Sequence, residues 1–187
     1  MRIVFMGPPG AGKGTQAAIL SSELGIPHIS TGDIFRANVS EGTPLGLEAK
    51  KYMDAGEYVP DGVTNAMVRD RISHDDARAG FILDGYPRTV EQVGELDAML
   101  RSDGTRLDAV IELTVDIDEV VQRLVQRAKD QGRADDSEDV IRRRLEVYSE
   151  QTAPLIAVYK DHGILIQVNG LGEIETVSTA IRSAISS

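Results

Sequence analysis

The chain contains no cysteine. That excludes a disulfide framework and any zinc site built on thiolates, so no structural zinc is expected. Histidine is nearly as scarce. His28, His74 and His162 lie far apart, read as surface or turn residues, and suggest neither a metal-histidine cluster nor a Ser-His-Asp array. Basic residues are in deficit as well, 20 against 30 acidic ones, for a net charge of −10. Such a balance disfavours a nucleic-acid partner, because binding a phosphate polymer needs a basic face. It leaves room for a small anionic substrate, since a few arginines can be focused in one cleft. No apolar run reaches membrane length, and the N-terminal strand is too short for a signal peptide, so no membrane association is expected and a cytoplasmic location is. The 187 residues, 41% hydrophobic, suit a single globular domain with room for small insertions.

What the chain does have begins at its second residue. Arg2-Ile3-Val4-Phe5-Met6 reads as a buried strand and runs directly into Gly7-Pro8-Pro9-Gly10-Ala11-Gly12-Lys13-Gly14-Thr15. A glycine-rich turn brings several backbone N–H groups close to one anion, and the following helix adds its positive end. Ala17, Leu20 and Leu24 recur at helical spacing, so the strand-loop-helix context of a phosphate loop is complete. Lys13 is placed to meet the β- and γ-phosphates of a nucleotide. One departure stands out. The hydroxyl that usually follows the lysine and reaches Mg²⁺ is replaced by Gly14, with Thr15 one place later. Carboxylates acting through water are the expected substitute.

Strand candidates are residues 2–6, 27–29, 81–84, 107–113 and 163–168. Helical patterns fall at 13–24, 33–40, 44–55, 61–74, 89–101, 116–127, 137–160 and 172–186. Runs such as Phe81-Ile82-Leu83 and Ile164-Leu165-Ile166 are continuous, which predicts strands covered on both faces and hence a parallel sheet between helical layers. Residues 30–60 hold helices but no convincing strand, and Lys129-Asp130-Gln131-Gly132 forms a polar break between helices. Both read as flaps on the side where the strands' carboxyl ends meet a ligand.

The remaining chemistry is mostly arginine. Ser30-Thr31-Gly32-Asp33 can cap a helix that carries Arg36. Phe81 to Arg88 delivers Asp84 and Arg88 at a strand end, where Asp84 is placed to hold a metal-bound water or merely to cap a turn. The Tyr86–Pro87 bond is a candidate for cis geometry. Gln92 shares a helix face with Arg88 and could read a base edge. On the helix near 116–127, Ile117, Val120, Val121 and Leu124 define an apolar stripe flanked by Arg123 and Arg127. On the next, Ile141, Leu145 and Tyr148 define another; of Arg142, Arg143 and Arg144 only Arg144 approaches it, and the other two read as solvated. The partner of Arg144 is either a structural carboxylate or a substrate anion. One phosphate loop facing five or six arginines exceeds what a single nucleotide needs and suits phosphoryl transfer between two phosphorylated substrates, where catalysis is mostly positioning and charge stabilisation.

With these segments assembled, the chain resembles the adenylate kinase family over nearly its whole length. The resemblance rests on GPPGAGKGTQ, ISTGDIFR, GFILDGYPRT with Gln92, and the arginine series ending in Gly132-Arg133-Ala134-Asp135-Asp136. It is similar to the short-lid form, since little chain separates Arg127 from Arg133. The resemblance implies a P-loop α/β/α fold with a five-stranded parallel sheet in the order 2-3-1-4-5. It implies a core of residues 1–29, 60–125 and 137–187, an AMP flap at 30–59 and a short lid at 126–136. It implies the reaction ATP + AMP ⇌ 2 ADP with Mg²⁺. Gly10, Ala11, Gly12, Lys13, Gly14 and Thr15 would hold the ATP phosphates, with Arg127 on ATP and Gly172 at its adenine. Thr31, Arg36, Glu57, Tyr58, Val59, Gly85, Tyr86, Pro87, Arg88 and Gln92 would bind AMP. Lys13, Arg88, Arg123, Arg133 and Arg144 would grip the transferring phosphoryl group, Arg133 and Arg144 also holding AMP, and Asp33 and Asp84 would orient magnesium's water shell. A monomer working on free nucleotides is expected.

Three rivals remain. A UMP/CMP kinase would also have a short lid, but Thr31 and Gln92 favour AMP over the Ser-Ala-Gly and Asn of the pyrimidine relatives. A non-catalytic nucleotide-binding regulator would not require the full arginine set. A kinase for a small hydroxyl acceptor would need a carboxylate base, for which only Asp33 or Asp84 is placed.

Overall fold

In a computed structural model, residues 1–131 and 137–186 are described, the side chain of residue 131 apart. Strand β1 (Arg2–Met6) leads through the glycine loop to helix α1 (Lys13–Leu24). Then come β2 (His28–Ser30), α2 (Thr31–Glu41), α3 (Pro44–Met53), α4 (Asp61–Ile72) and β3 (Phe81–Asp84). Helix α5 (Val90–Ser102), β4 (Ala109–Thr114), α6 (Ile117–Gln131) and α7 (Glu138–Val147) follow. A five-residue π turn (Tyr148–Thr152), α8 (Leu155–Asp161), β5 (Leu165–Asn169) and α9 (Ile174–Ile185) complete the chain.

The strands form one sheet in the order β2-β3-β1-β4-β5. Every pairing is parallel, with Val4 opposite Leu83 and Val110, and Ser30 opposite Asp84. Parallel neighbours cannot be joined by tight hairpins, so each return passes through helices that cover the sheet. Alternation along the strands divides the core in two. Val4, Met6, Leu83 and Val110 pack with Val68, Leu96, Leu100, Leu155 and Tyr159 of α4, α5 and α8. Ile3, Phe5, Ile82 and Ile111 pack on the other face with Ala17, Leu20, Val177 and Ile181 of α1 and α9. Burying one such side chain is worth about 1.5–3 kcal/mol, which is why these strands carry no polar face. The α/β/α architecture and the strand order agree with the expectation.

Two small clusters lie outside these layers. Phe35, Ala49 and Val59, with Leu45, Tyr52 and Met53, form an apolar centre at α2 and α3 that also packs on Val63 and Met67 of α4. Val120, Leu124 and Ile141 join α6 to α7.

Local structure corrects several expectations. The helix read as 137–160 is interrupted at Tyr148–Thr152 by the π turn. Pro154 lacks the N–H that would continue the ladder, and α8 restarts after it. Ser30 belongs to β2, and α2 begins at Thr31 because the Ser30 hydroxyl accepts the N–H of Asp33. Lys129 to Gln131 do not form a polar break; α6 carries through them. Ile117 does not join the buried stripe and stands 64% exposed at the mouth of α6.

Candidate active site

The carboxyl ends of β1, β2 and β3 open into a cleft of about 570 Å³. Its floor is the glycine loop. Gly10 has φ +84, and a Cβ there would stand 2.9 Å from Leu124 Cγ, so the loop backbone reaches its place against α6 only as glycine. Lys13 Nζ folds back over the loop and donates to the carbonyl oxygens of Gly7 (2.8 Å) and Pro8 (3.0 Å). Burial pulls its pKa down to about 8; Arg88, Arg144 and Arg127 act in the same direction and Asp84 opposes them.

Among the described residues, six cationic side chains from five segments share this cleft: Lys13, Arg36, Arg88, Arg123 and Arg127 of α6, and Arg144. Arg36 sits 2.5 Å from Asp33 Oδ1. Arg123 is held by Glu119 at 2.6 Å and by the carbonyl of Gly170 at 3.3 Å. Arg144 faces the cleft, not an exposed surface, which brings it to the predicted set. Arg133 lies outside the described residues.

Asp84 closes β3 beside the loop. Burial alone would raise its pKa, but the His28 imidazole, then Lys13 and Arg88, hold the carboxyl below the usual range. A Cβ on Gly14 would lie 3.5 Å from Asp84 Oδ2. The place usually given to a hydroxyl after the lysine therefore faces a carboxylate here. His28 corrects the reading of scattered surface histidines. Its Nε2 is buried 3.5 Å from Asp84 Oδ2, with no closer partner among the described residues. Two-residue alternation from Ser30, at the end of β2, was the signal that could have found it.

A side chamber branches from the cleft towards α2 and α3. Thr31, Arg36, Glu57, Tyr58, Val59, Gly85, Arg88, Gln92 and Arg144 all line it, which unites residues that the sequence scatters over four segments. Thr31 Oγ1 donates to the Gly85 carbonyl at 2.9 Å. Gly85 has φ +81, and a Cβ would meet Thr31 Oγ1 at 2.7 Å and an Arg88 guanidinium nitrogen at 3.0 Å. The Arg88 guanidinium stands over the Tyr58 ring at 4.9 Å. Thr152 Oγ1 donates to the Arg88 carbonyl at 2.8 Å, so the Tyr58 hydroxyl is the donor to Thr152 at 2.6 Å.

A family model described as adenylate kinase matches residues 5–164. The chain is 65% identical to an adenylate kinase of Nocardioides over 185 residues, covering 99% of this chain and 97% of that one. It is 61% identical to one of Kocuria rhizophila over 98% of both chains. It is 57% identical to one of Thermobifida fusca over 100% of this chain and 99% of that one. The chain belongs to the adenylate kinase family.

Within that family fold, three expected site residues stand outside the lining of either chamber. Ala11 is buried against the sheet with Ile111 and Leu113. Gly172 is a solvent-exposed loop residue with φ +112. Tyr86 is fully buried, and its hydroxyl donates to Asn65 Oδ1 at 2.8 Å, so its ring serves the core next to the cis Tyr86–Pro87 bond. Pro87 lines the cleft. Arg143, read as solvated, instead bridges from α7 to Glu57 at 2.6 Å, and that contact raises its pKa. Arg142 stays on the surface with Glu138. Tyr148 and Thr152 line the cleft without having been foreseen, because they lie on the π turn.

Proposed function

We propose that this chain is an adenylate kinase that catalyses ATP + AMP ⇌ 2 ADP with Mg²⁺ and maintains the balance of adenine nucleotides. The carrying observation is the two-chambered cleft, with a phosphate loop at one end and Thr31, Arg88 and Gln92 in the side chamber. The donor lies along the loop from Gly10 to Thr15, with Arg127 beside it and Gly172 near its base. AMP takes the side chamber, its phosphate between Arg36 and Arg88. The phosphates of the two substrates then meet where Lys13, Arg88, Arg123 and Arg144 converge, and Arg133 joins them. An AMP phosphate is already an oxyanion at neutral pH, so no general base is required. The cations offset the mutual repulsion of the substrates and the charge on the transferring group's equatorial oxygens.

Magnesium supplies charge neutralisation of the β- and γ-phosphates. Among the described residues no group of three or more acidic or histidine ligands exists to cage an ion. An ion bound mainly by phosphates and waters fits the site, because Asp84 is held ionised beside the loop. Asp84 and Asp33 would accept hydrogen bonds from those waters. Residues 30–59 are the segment that moves, shielding the phosphates from water, and the short lid expected at 126–136 falls partly outside the described residues. Both chambers are lined within one chain, which supports a monomer. Among the described residues no helix is long and apolar enough to cross a membrane. The pool of free ATP and AMP it draws on is cytoplasmic.

A coupled assay of ADP formation tests this, with ATP as donor and AMP, CMP, UMP, GMP or shikimate as acceptor. AMP should be preferred by orders of magnitude in kcat/KM. Preference for UMP or CMP would overturn the reading, as would rapid ATP hydrolysis with no acceptor.

A further inference from the structure

We propose that Asp61 is a positioning residue for base recognition: it fixes the side-chain amide of Gln92 in one of its two orientations and so sets which purine edge the side chamber accepts. The inference rests on the reading of that chamber as the AMP site.

Gln92 lines the chamber yet is only 2% exposed. Its amide is held at both ends. Nε2 donates to Asp61 Oδ1 at 2.6 Å, and Oε1 accepts the backbone N–H of Arg88 at 2.6 Å. Asp61 is itself anchored, because Thr89 Oγ1 donates to its other oxygen at 3.0 Å. That hydroxyl also accepts the N–H of Gln92 at 3.2 Å and so caps α5. A carboxylate only accepts hydrogen bonds and a backbone N–H only donates. Turning the amide over would put Oε1 against a carboxylate and the NH₂ group against an N–H. Two hydrogen bonds would become two repulsions in a buried site, where unmet polar groups are costly.

One N–H of Nε2 and one lone pair of Oε1 remain for a ligand. A 6-amino purine offers an acceptor at N1 beside a donor at its amino group. A 6-oxo purine offers a donor at N1 beside an acceptor at O6. The two edges have the same shape and opposite polarity, so a Gln amide of fixed orientation pairs with one and opposes the other. A freely turning amide would serve both. Asp61, on the first turn of α4, thereby carries specificity without itself lining either chamber.

The test compares kcat/KM for AMP and for inosine monophosphate, with ATP as donor, in Asp61→Asn, Gln92→Leu and the double variant. An Asn terminus can present oxygen or NH₂, so the Asp61 end no longer opposes a turned Gln92 amide and only the Arg88 N–H still does. In Asp61→Asn the AMP-to-IMP ratio should fall about tenfold, the scale of one hydrogen bond's differential. The KM for ATP should hold. Asp61→Ser, which withdraws the acceptor, should shift the ratio the same way. In the Gln92→Leu background, adding Asp61→Asn should change the ratio less than twofold, because the residue it acts through is gone. A parallel loss for both nucleotides in Asp61→Asn would show a structural role only and overturn the proposal. So would an equal shift of the ratio in the Gln92→Leu background. A ratio lost in Gln92→Leu but kept in Asp61→Asn removes the role of Asp61 and leaves base reading intact. A ratio unmoved in Gln92→Leu removes base reading and this inference with it.

Discussion

Lys13 illustrates how one residue's environment becomes a pH dependence. Its ammonium is pulled to a pKa of about 8, chiefly by burial and further by Arg88, Arg144 and Arg127. An unfolded lysine titrates near 10.4. Between those values the unfolded chain binds more protons at this site than the folded one, so the Lys13 contribution to stability rises with pH across that window and is flat below it. Function runs the other way, since the phosphates need the charged form. The free protein should therefore show an alkaline limb in kcat/KM for ATP with a midpoint near pH 8. Bound polyphosphate favours the ammonium, so the limb in kcat should sit at higher pH. Lys13→Arg, which stays charged throughout, should lose the limb at whatever activity it retains. A limb unchanged in that variant would assign the titration to another group.

At the scale of elements, the short buried strands and the glycine loop were legible because both are local. Phe81-Ile82-Leu83 needs only its own composition to announce a strand covered on both faces. Cleft membership was legible only in part. Arg123, Arg127 and Arg144 sit on patterns that place them near a buried edge, Arg36 follows a helix cap and Arg88 a strand end, and the structure brings the five together. Thr152 was hidden because its role depends on the widened turn after α7, which no periodicity announces. Asp61 was hidden because its partners, Thr89 and Gln92, are 28 and 31 residues away. The turn has an energetic signature of its own. Thr152 is the middle of a relay from the Tyr58 hydroxyl to the Arg88 carbonyl, so Thr152→Val strands a donor and an acceptor together. The cost should be about 2 kcal/mol, a fall in melting temperature of about 4–8 °C for a chain of this size. KM for AMP should rise severalfold with KM for ATP unchanged, because Arg88 loses its support on one side only. Calorimetry and initial-rate kinetics read the two effects separately, and an equal rise in both KM values would contradict the assignment.

For the whole molecule the question is how a base reaches Gln92. The side chamber measures about 60 Å³, a small fraction of the several hundred cubic ångströms usual for a small-molecule site. The segment of α2 and α3 is tied to the rest of the protein by the Glu57–Arg143 pair and by the Tyr58–Thr152 hydrogen bond. On the proposed reading AMP enters when that segment swings away, its side chains Phe35 and Ala49 sliding over Val63 and Met67 of α4. The absence of cysteine makes this directly testable, since any introduced pair is the only one present. A Cβ on Gly56 would lie 3.1 Å from Arg143 Cβ, shorter than the roughly 3.5–4.5 Å a disulfide spans, so a small outward shift lets the pair bridge. In a Gly56→Cys, Arg143→Cys variant, oxidation should suppress AMP-dependent turnover at least tenfold while ATP still binds, and reduction should restore it. Comparing one variant in two redox states removes the strain that a side chain at Gly56, with φ +73, would otherwise confuse with locking. Full turnover in the oxidised state would mean that AMP reaches the chamber with the segment held in place, and opening would then have to come from the α6–α7 side instead.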